Sequence, residues 1–448
     1  MLAINVFDPL VRAGETGEPV PALAASWSNP DPETWRIRLR PGARFSDGTQ
    51  VTAGDVVRSF DRARAAGSTV AGNLGVVREV REEASDVVTI TATPGANAFL
   101  LNLTAVLIAR EVPGRDGRSR MLGSGPYEVV RLDPGERIEM RASPSWPGPP
   151  LRISDVVWEA FRGGREARKK LEADPRTLVI DPPAEAVALA KSDRRFAVSS
   201  EFSGALAYLA FGLTPADGGG PRPFADRRAR EAVRLALDVP ALLAVAGPAA
   251  GYPATQVIPS GVFGFDHAIP LRGRDPAVAR SLLAGAGLAG RRVVLDATEP
   301  NASLARAIAA QLGEAGLAIE VRILPSPRFR ERIEGRSDLF LFSWVVGPEA
   351  GEALKDFFHS KDEARHLGLR NRTGWANPEF DAAIEEVMRV GEPSDRLPLL
   401  HRAIRAIDED VPWVPLFTIR SVRIHPVDLK VRFRSDAMLL LSDLGPAR

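Results

Sequence analysis

The pattern of apolar and polar residues changes character near residue 150. Before that point apolar side chains recur at every second position, as in TWRIRLR at residues 34–40. A period of two predicts half-buried strands. We predict further strands at residues 87–92, 127–132 and 137–141, and the last two are expected to pair. The first third of the chain is therefore expected to be mixed and mostly antiparallel.

The segment RFSDGTQVTAGDVVRSF, residues 44–60, contains a turn followed by a helix start. Asp47-Gly48 is a hairpin-type turn. Thr52 is a favourable N-cap residue, and Asp55, three positions later, completes a capping-box-like pair. The pattern predicts a helix over residues 53–66, although the segment contains no group with obvious chemical reactivity.

After residue 150 strands and helices alternate, which predicts an α/β domain with a largely parallel sheet. Residues 218–223, GGGPRP, are predicted to form a linker. The predicted strands are 177–180, 292–297, 319–324, 339–344 and 413–420. The predicted helices are 165–171, 183–191, 226–237, 276–286, 301–315, 327–334, 378–390 and 393–408.

Length and composition limit the classes of function. A chain of 448 residues exceeds what one hydrophobic core supports, so two or three domains are expected. The net charge of +1 provides no attraction to nucleic acid or to an anionic membrane. The absence of Cys excludes disulfides and thiolate sites, and no apolar run reaches the ~18 residues of a membrane span. The N-terminal residues also lack the features of an export signal.

Motifs for catalysis or cofactor binding are missing or occur in the wrong context. There is no phosphate-binding loop, nucleophile elbow or HExxH spacing. Pro126 follows Gly123-Ser124-Gly125 and opposes the strand-turn-helix geometry that a nucleophilic Ser needs. His359 and His366 could share one helical face, but a solvated face is the preferred interpretation. We therefore predict a binding protein with no catalytic residue, metal or cofactor.

Several motifs resemble the extracellular solute-binding proteins of family 5, the peptide and nickel receptors of ABC importers. The resemblance begins in PALAASW (21–27) and in the segment from Thr34 to Phe60. It continues in family order with GSGPY (123–127), PFADRRAREA (223–232), ARSLLAGAG (279–287), WANPEFD (375–381) and DVPWVPL (410–416). The matches cover almost the whole chain.

The resemblance implies an α/β fold, a two-lobed periplasmic-binding-protein clamshell (class II, cluster C) with an inserted third domain. Domain I would comprise residues 1–18, 125–212 and 419–448. Domain II would be the insertion at 19–124, and domain III would be 213–418. In such a fold the solute lies between the lobes and stabilises the closed state.

The resemblance also suggests residues that contact the solute. We predict Trp344 and Tyr208 as the main candidates, with Ser343, Glu349 and Asn371 as further ones. Core packing is the alternative for both aromatic residues. The family anchors a peptide's ammonium group with an Asp shortly after the Trp, and here Gly347 stands in that place. Ordinary dipeptide binding is therefore in doubt unless Glu349 or Glu352 substitutes for it.

We expect a monomeric, non-enzymatic ABC-importer receptor that delivers a peptide-like solute to permease subunits. An opine, an oligosaccharide or a nickel chelate is an alternative solute. A periplasmic or cell-surface location is expected, with an export signal upstream of the given start. A cytosolic solute sensor with the same fold is a second alternative.

Overall fold

A computed structural model describes most of the chain, and its chain contacts divide into two compact units. Unit 1 is Met1–Ser199 together with Arg423–Arg448, and unit 2 is Ser200–Val422. Each unit is considered by itself below. The described residues are 2–14, 19–65, 68, 70, 74–92, 99–114, 119–215, 222–347, 349–365, 367–390, 392–434 and 438–446.

Unit 1 contains several small antiparallel sheets. Strands β3, β4, β6 and β5 lie side by side in that order, β11, β10 and β9 form a three-stranded sheet, and β1–β2 and β7–β8 are two-stranded. The strands are β1 (Val11–Ala13), β2 (Pro19–Pro21), β3 (Ala24–Asp31), β4 (Thr34–Leu39), β5 (Val77–Ala84), β6 (Val87–Ala92), β7 (Ala109–Pro113), β8 (Ser119–Gly123), β9 (Tyr127–Asp133), β10 (Arg137–Ala142), β11 (Asp155–Glu159) and β12 (Val179–Ile180).

The helices of unit 1 include the one expected after the Asp47-Gly48 turn. They are α1 (Ala53–Arg64), α2 (Phe99–Asn102), α3 (Gly164–Ala173) and α4 (Ala184–Ser192). The capping box between Thr52 and Asp55 is present, which confirms the predicted helix start. Gly48 adopts a φ of 85°, a left-handed conformation that glycine adopts without steric cost.

Asp55 joins α1 to the rest of unit 1. Its fully buried carboxylate accepts hydrogen bonds from Thr52, Arg58 and Arg110, and the Arg110 guanidinium approaches both oxygens. Burial opposes ionisation, but these donors outweigh it and lower the pKa of Asp55 to about 2. The chemically silent segment is therefore a structural link between a helix start and β7.

Unit 2 alternates strands with helices. Its strands are β13 (Phe196–Phe211), β14 (Ala250–Pro253), β15 (Arg292–Thr298), β16 (Ala318–Leu324), β17 (Leu339–Val345) and β18 (Trp413–Pro426), of which β13 and β18 each continue into unit 1. Its helices are α5 (Arg227–Ala236), α6 (Val239–Ala246), α7 (Pro276–Gly285), α8 (Ala302–Glu314), α9 (Ser326–Ile333), α10 (Gly351–Phe358), α11 (Pro378–Val387) and α12 (Pro393–Asp410).

The sheet of unit 2 is mixed, so the expectation of a largely parallel sheet was wrong. Strands β15, β16 and β17 are parallel, but β13 pairs with β17 antiparallel and β14 pairs with β18 antiparallel. The strand order is β18-β13-β17-β15-β16. Strand β13 is 16 residues long, and its apolar run gives no local indication of direction.

Two apolar clusters cover the opposite faces of this sheet. One contains Leu209, Leu295 and Leu341 with helices α5, α7 and α8. The other contains Tyr208, Phe340 and Trp344 with helices α10, α11 and α12. The alternation of buried side chains along β13 and β17 follows from the period of two in a strand.

Three arginines of α5 bind the carboxyl end of α12. Arg227, Arg230 and Arg234 donate to the main-chain oxygens of Glu409, Asp410 and Asp408, respectively. Their spacing of three and four residues places them on one helical face. The last carbonyl groups of a helix lack intrahelical donors and carry partial negative charge, so the arginines satisfy and neutralise them.

The end of α12 also connects two other motifs. The carboxylate of Asp410 accepts hydrogen bonds from Trp375 Nε1 and Asn377 Nδ2, both at 3.0 Å. The PFADRRAREA, WANPEFD and DVPWVPL motifs therefore meet at one structural junction inside unit 2.

The chain returns to unit 1 along β18 and ends in a short pair of strands, β19 (Leu429–Lys430) and β20 (Gly445–Pro446). Strand β12 pairs with Arg423 and Ile424 of β18 inside unit 1. Within the described part of the chain, no helix has both the length and the apolar composition to cross a membrane. The predicted linker falls largely outside the described residues, since 216–221 are not described.

Candidate functional site

The carboxyl ends of the parallel strands in unit 2 meet at one edge of the sheet. Thr298 of β15 pairs with Leu324 of β16, while β17 begins opposite Leu295 and so extends further. Helices α8, α9 and α10 each begin after one of these strands. Ligands of open α/β sheets bind at the carboxyl ends of strands, where helix N-termini also provide partial positive charge.

The side chains on one face of β17 become exposed to solvent as the strand approaches this edge. Leu341 is buried against Leu209, but Ser343, the next residue on that face, is exposed. Val345 follows with 56% of its surface exposed. The residues opposite them on β13 are Ala207 and Ala205, whose small side chains leave this end of the face open. Ser343 and Val345 therefore form an accessible surface, which we call the β17 shelf.

The other face at this level is closed by aromatic residues. Tyr208 is 1% exposed and stacks on Trp413 with a centroid distance of 3.7 Å. Trp344 is 3% exposed and packs edge-to-face against Trp413 and Phe357. Burial raises the pKa of the Tyr208 hydroxyl far above its ordinary value. Tyr208 and Trp344 thus support the shelf from behind, and their contact with a solute stays a prediction.

Gly347 and Glu349, which follow β17, provide no unpaired carboxylate that could anchor an ammonium group. Gly347 is exposed, and a Cβ placed on it would have no heavy atom within 4 Å. Glu349 forms an ion pair with the buried guanidinium of Arg396. The carboxylate of Glu349 therefore already has a cationic partner inside unit 2.

Glu352 retains a free acceptor on the first turn of α10. One of its oxygens binds Lys355, while Oε1 is buried and has no hydrogen-bond partner among the described residues. Asp356, four residues later on the same face, has a pKa raised by burial. A positively charged group beside Glu352 and Asp356 would stabilise their ionised forms, which burial disfavours.

Asn371 holds together the loop before α11. Its amide nitrogen donates to the main-chain oxygens of His359 and Trp375 at 2.9 and 2.7 Å. Its side-chain oxygen accepts from Thr373 Oγ1 and Gly374 N. Since four hydrogen bonds engage the amide, the structure gives Asn371 a local supporting role, and its contact with a solute stays a prediction.

Of the two histidines that the sequence placed on one possible helical face, the structure describes only His359. His359 is 1% exposed, and its ring nitrogens lie 2.7 Å from Ser360 O and 3.1 Å from Glu385 Oε1. His366 lies outside the described residues. Among the residues that are described, no three His, Asp or Glu side chains are grouped to hold a metal ion.

Sequence reasoning missed Val345, Arg396 and Trp413 as parts of this region. Val345 continues an apolar strand pattern, so its exposure depends on where α8 and β13 stop covering the sheet. Arg396 and Trp413 reach the region from α12 and β18. The DVPW motif was a signal for Trp413, but nothing local indicated its partner Tyr208.

Comparison with known proteins gives one family and many close folds. The family model described as "Bacterial extracellular solute-binding proteins, family 5 Middle" matches residues 18–365 of this chain. The glutathione-binding protein GsiB of Escherichia coli K12 is 24% identical over 429 residues, covering 91% of this chain and 82% of that protein.

Two solved structures illustrate the fold. DppA from Helicobacter pylori in complex with the peptide STSA has a TM-score of 0.85 and 19% identity, covering 99% of this chain and 93% of DppA. MoaA from Agrobacterium tumefaciens R10 in complex with mannopinic acid has a TM-score of 0.85 and 22% identity, covering 100% and 94% of the two chains. These likenesses confirm the expected two-lobed periplasmic-binding-protein fold.

Proposed function

Because this chain belongs to the family 5 bacterial extracellular solute-binding proteins, we propose that it captures a peptide-like solute and delivers it to the permease of an ABC importer. The observation that carries the proposal is the β17 shelf at the carboxyl edge of the parallel strands. It is exposed on one face and rigidly supported by buried aromatic residues on the other. A small solute could bind there through main-chain hydrogen bonds, in the manner of strand addition.

We propose that the protein acts as a monomeric receptor, without an enzymatic step, a cofactor or a nucleic-acid partner. The relatives named above are binding proteins, which supports this choice. We also propose a periplasmic or cell-surface location, because the family is extracellular by description. The three-domain division at residues 19–124 and 213–418, with the remainder as domain I, belongs to the same proposal.

The charges near the shelf restrict how a peptide amine could be held. Gly347 has no side chain, and Glu349 is committed to Arg396. An ammonium group beside Gly347 would find no carboxylate there, which forgoes about 1 kcal/mol at a half-exposed position and several kcal/mol where the group is buried. We therefore propose that the solute presents no free ammonium at Gly347. Glu352 is partly exposed, and its buried Oε1 has no partner among the described residues. We propose that this carboxylate pairs with an amine of the solute once its side chain turns outward.

A non-peptide solute of the opine class is the second candidate. Gly347 favours it, and the MoaA likeness supports it because that structure contains mannopinic acid. An opine differs from a peptide in that its amine is secondary and carries two carbon substituents. It therefore offers no terminal ammonium group, and a carboxylate at position 347 would bring less advantage.

A thermal-shift panel tests the proposal and separates the candidates. It would contain di- to pentapeptides, glutathione, mannopinic acid, an oligosaccharide and Ni²⁺ with histidine. A ligand at 100 times its Kd adds about 2.7 kcal/mol of stability, which corresponds to about 3 °C for cooperative unfolding of a chain this long. A shift with peptides supports the first candidate. A shift with mannopinic acid alone supports the second, and no shift with any compound would refute a receptor for these solutes.

A further inference from the structure

A small cavity lies inside unit 2 where α12 ends and β18 begins. Its volume is about 10 Å³. The residues around it are Gln256, Val257, Ile404, Ile407, Asp408, Trp413 and Pro415. Three apolar residues around it are nearly inaccessible, with Ile404 at 0%, Ile407 at 1% and Val257 at 2% exposure. A cavity of this size accommodates one water molecule and nothing larger.

One wall of the cavity is an indole ring with an unused donor. Trp413 is 4% exposed, and its Nε1 is buried without a hydrogen-bond partner among the described residues. Buried indole N–H groups almost always have an acceptor, because an unmade hydrogen bond costs roughly 1–3 kcal/mol. By contrast, Trp375 in the same unit donates its indole N–H to Asp410. The Trp413 donor therefore requires an acceptor.

Asp408, which also lines the cavity, supplies an acceptor. The carboxylate of Asp408 binds Arg234 through one oxygen and Arg272 through the other. An ionised carboxylate has about four acceptor positions, so capacity remains after these two bonds. A molecule that accepts from the indole and donates to the carboxylate would satisfy both walls at once.

We propose that this cavity is a binding site for one ordered water molecule, which accepts from Trp413 Nε1 and donates to the Asp408 carboxylate. The water would connect the carboxyl end of α12 to the ring that stacks on Tyr208. It would thus fix the orientation of Trp413 beneath the β17 shelf. The inference concerns unit 2 alone and stands whether or not the proposed solute is correct.

Water-to-indole cross-relaxation tests this site in the full chain. A ¹⁵N-edited ROESY spectrum would be recorded at several pH values, with indole signals assigned from Trp413→Phe and Trp375→Phe variants. We expect a pH-independent cross-peak between water and the Trp413 indole proton. Trp375 is the matched control, because it is also buried but donates its indole N–H to Asp410, and its ring does not line the cavity. We expect no such peak for Trp375.

Two results would overturn the proposal. One is the absence of a water cross-peak at the Trp413 indole, and the other is an equal cross-peak at both indoles. A high-resolution crystal structure provides an independent check that does not require any variant to fold. It should show density about 2.9 Å from Trp413 Nε1 on the cavity side, and an empty cavity would contradict the proposal.

Discussion

Replacing Gly347 with Asp should give the receptor an ammonium anchor that it now lacks. The new side chain would meet no heavy atom within 4 Å of its Cβ, and no positive φ opposes the substitution. We therefore expect the free energy of unfolding to change by less than about 0.5 kcal/mol, as for other unrestrained surface positions. The β17 shelf next to it is open, since Val345 is 56% exposed.

That exposure sets the size of the expected gain in affinity. A hydrogen-bonded pair with a buried charge contributes roughly 1.5–3 kcal/mol, whereas an exposed ion pair contributes about 0.2–1 kcal/mol. For a half-exposed carboxylate we expect about 1 kcal/mol, or roughly fivefold tighter binding. Isothermal titration calorimetry would compare trialanine with N-acetyl-trialanine on the wild type and on Gly347→Asp.

The gain should appear for the peptide with a free amine and be absent for its acetylated form. Gly347→Asn is the matched control, because it adds nearly the same volume without the charge, and it should show no preference. Equal affinities of Gly347→Asp for both peptides would refute the assignment of this position to the amine end of the solute.

Three further predictions concern the charged groups of both units. Arg230→Met should lower the free energy of unfolding in urea by about 3 kcal/mol, because three main-chain carbonyl groups lose their donor. A decrease of less than about 1 kcal/mol would contradict the stabilising role given to the contacts between α5 and the end of α12. The pKa of Asp55 is lowered from 3.8 to about 2, so its ionisation contributes about 2 kcal/mol that is present above pH 3.8 and lost as pH falls toward 2. Asp55→Asn should remove that pH dependence, and an unchanged acid profile would be evidence against it. Glu352→Gln should weaken the binding of a solute with a free amine. Glu349→Gln should leave that affinity unchanged but cost about 2 kcal/mol of stability, because the buried Arg396 loses its partner. The reverse pattern of affinities would reject the assignment of their roles.

Local features of the chain were predictable because they depend on neighbouring residues. The α1 start is determined by Thr52 and Asp55 within one turn, and the β9–β10 hairpin by alternation across a short connection. Helix α10 was missed because its sequence, GEALKDFF, combines a glycine start with a short length. The direction of β13 depends on its pairing with β17, about 130 residues away in sequence, which no local pattern encodes.

The site was less predictable than the fold for a related reason. Ser343 was suggested by the family resemblance and is exposed, and its contact with a solute stays a prediction. Tyr208 and Trp344 are residue types that often contact solutes. The pairing of the strands places both side chains on the sheet face that Trp413 covers, so they are buried. Glu349 had the right charge, and only the fold revealed that Arg396 neutralises it. Residue type suggested the chemistry, while long-range packing decided which groups remain accessible.

The most direct test of the receptor hypothesis is a calorimetric titration of the wild-type protein. The best peptide of the thermal panel and its N-acetyl derivative would be titrated side by side. We predict saturable binding of both, with the acetylated peptide at most about fivefold weaker, because position 347 has no carboxylate and Glu352 is the one proposed partner of the amine. Failure of any peptide to bind, or a loss of more than about 100-fold on acetylation, which corresponds to about 2.7 kcal/mol, would contradict the account.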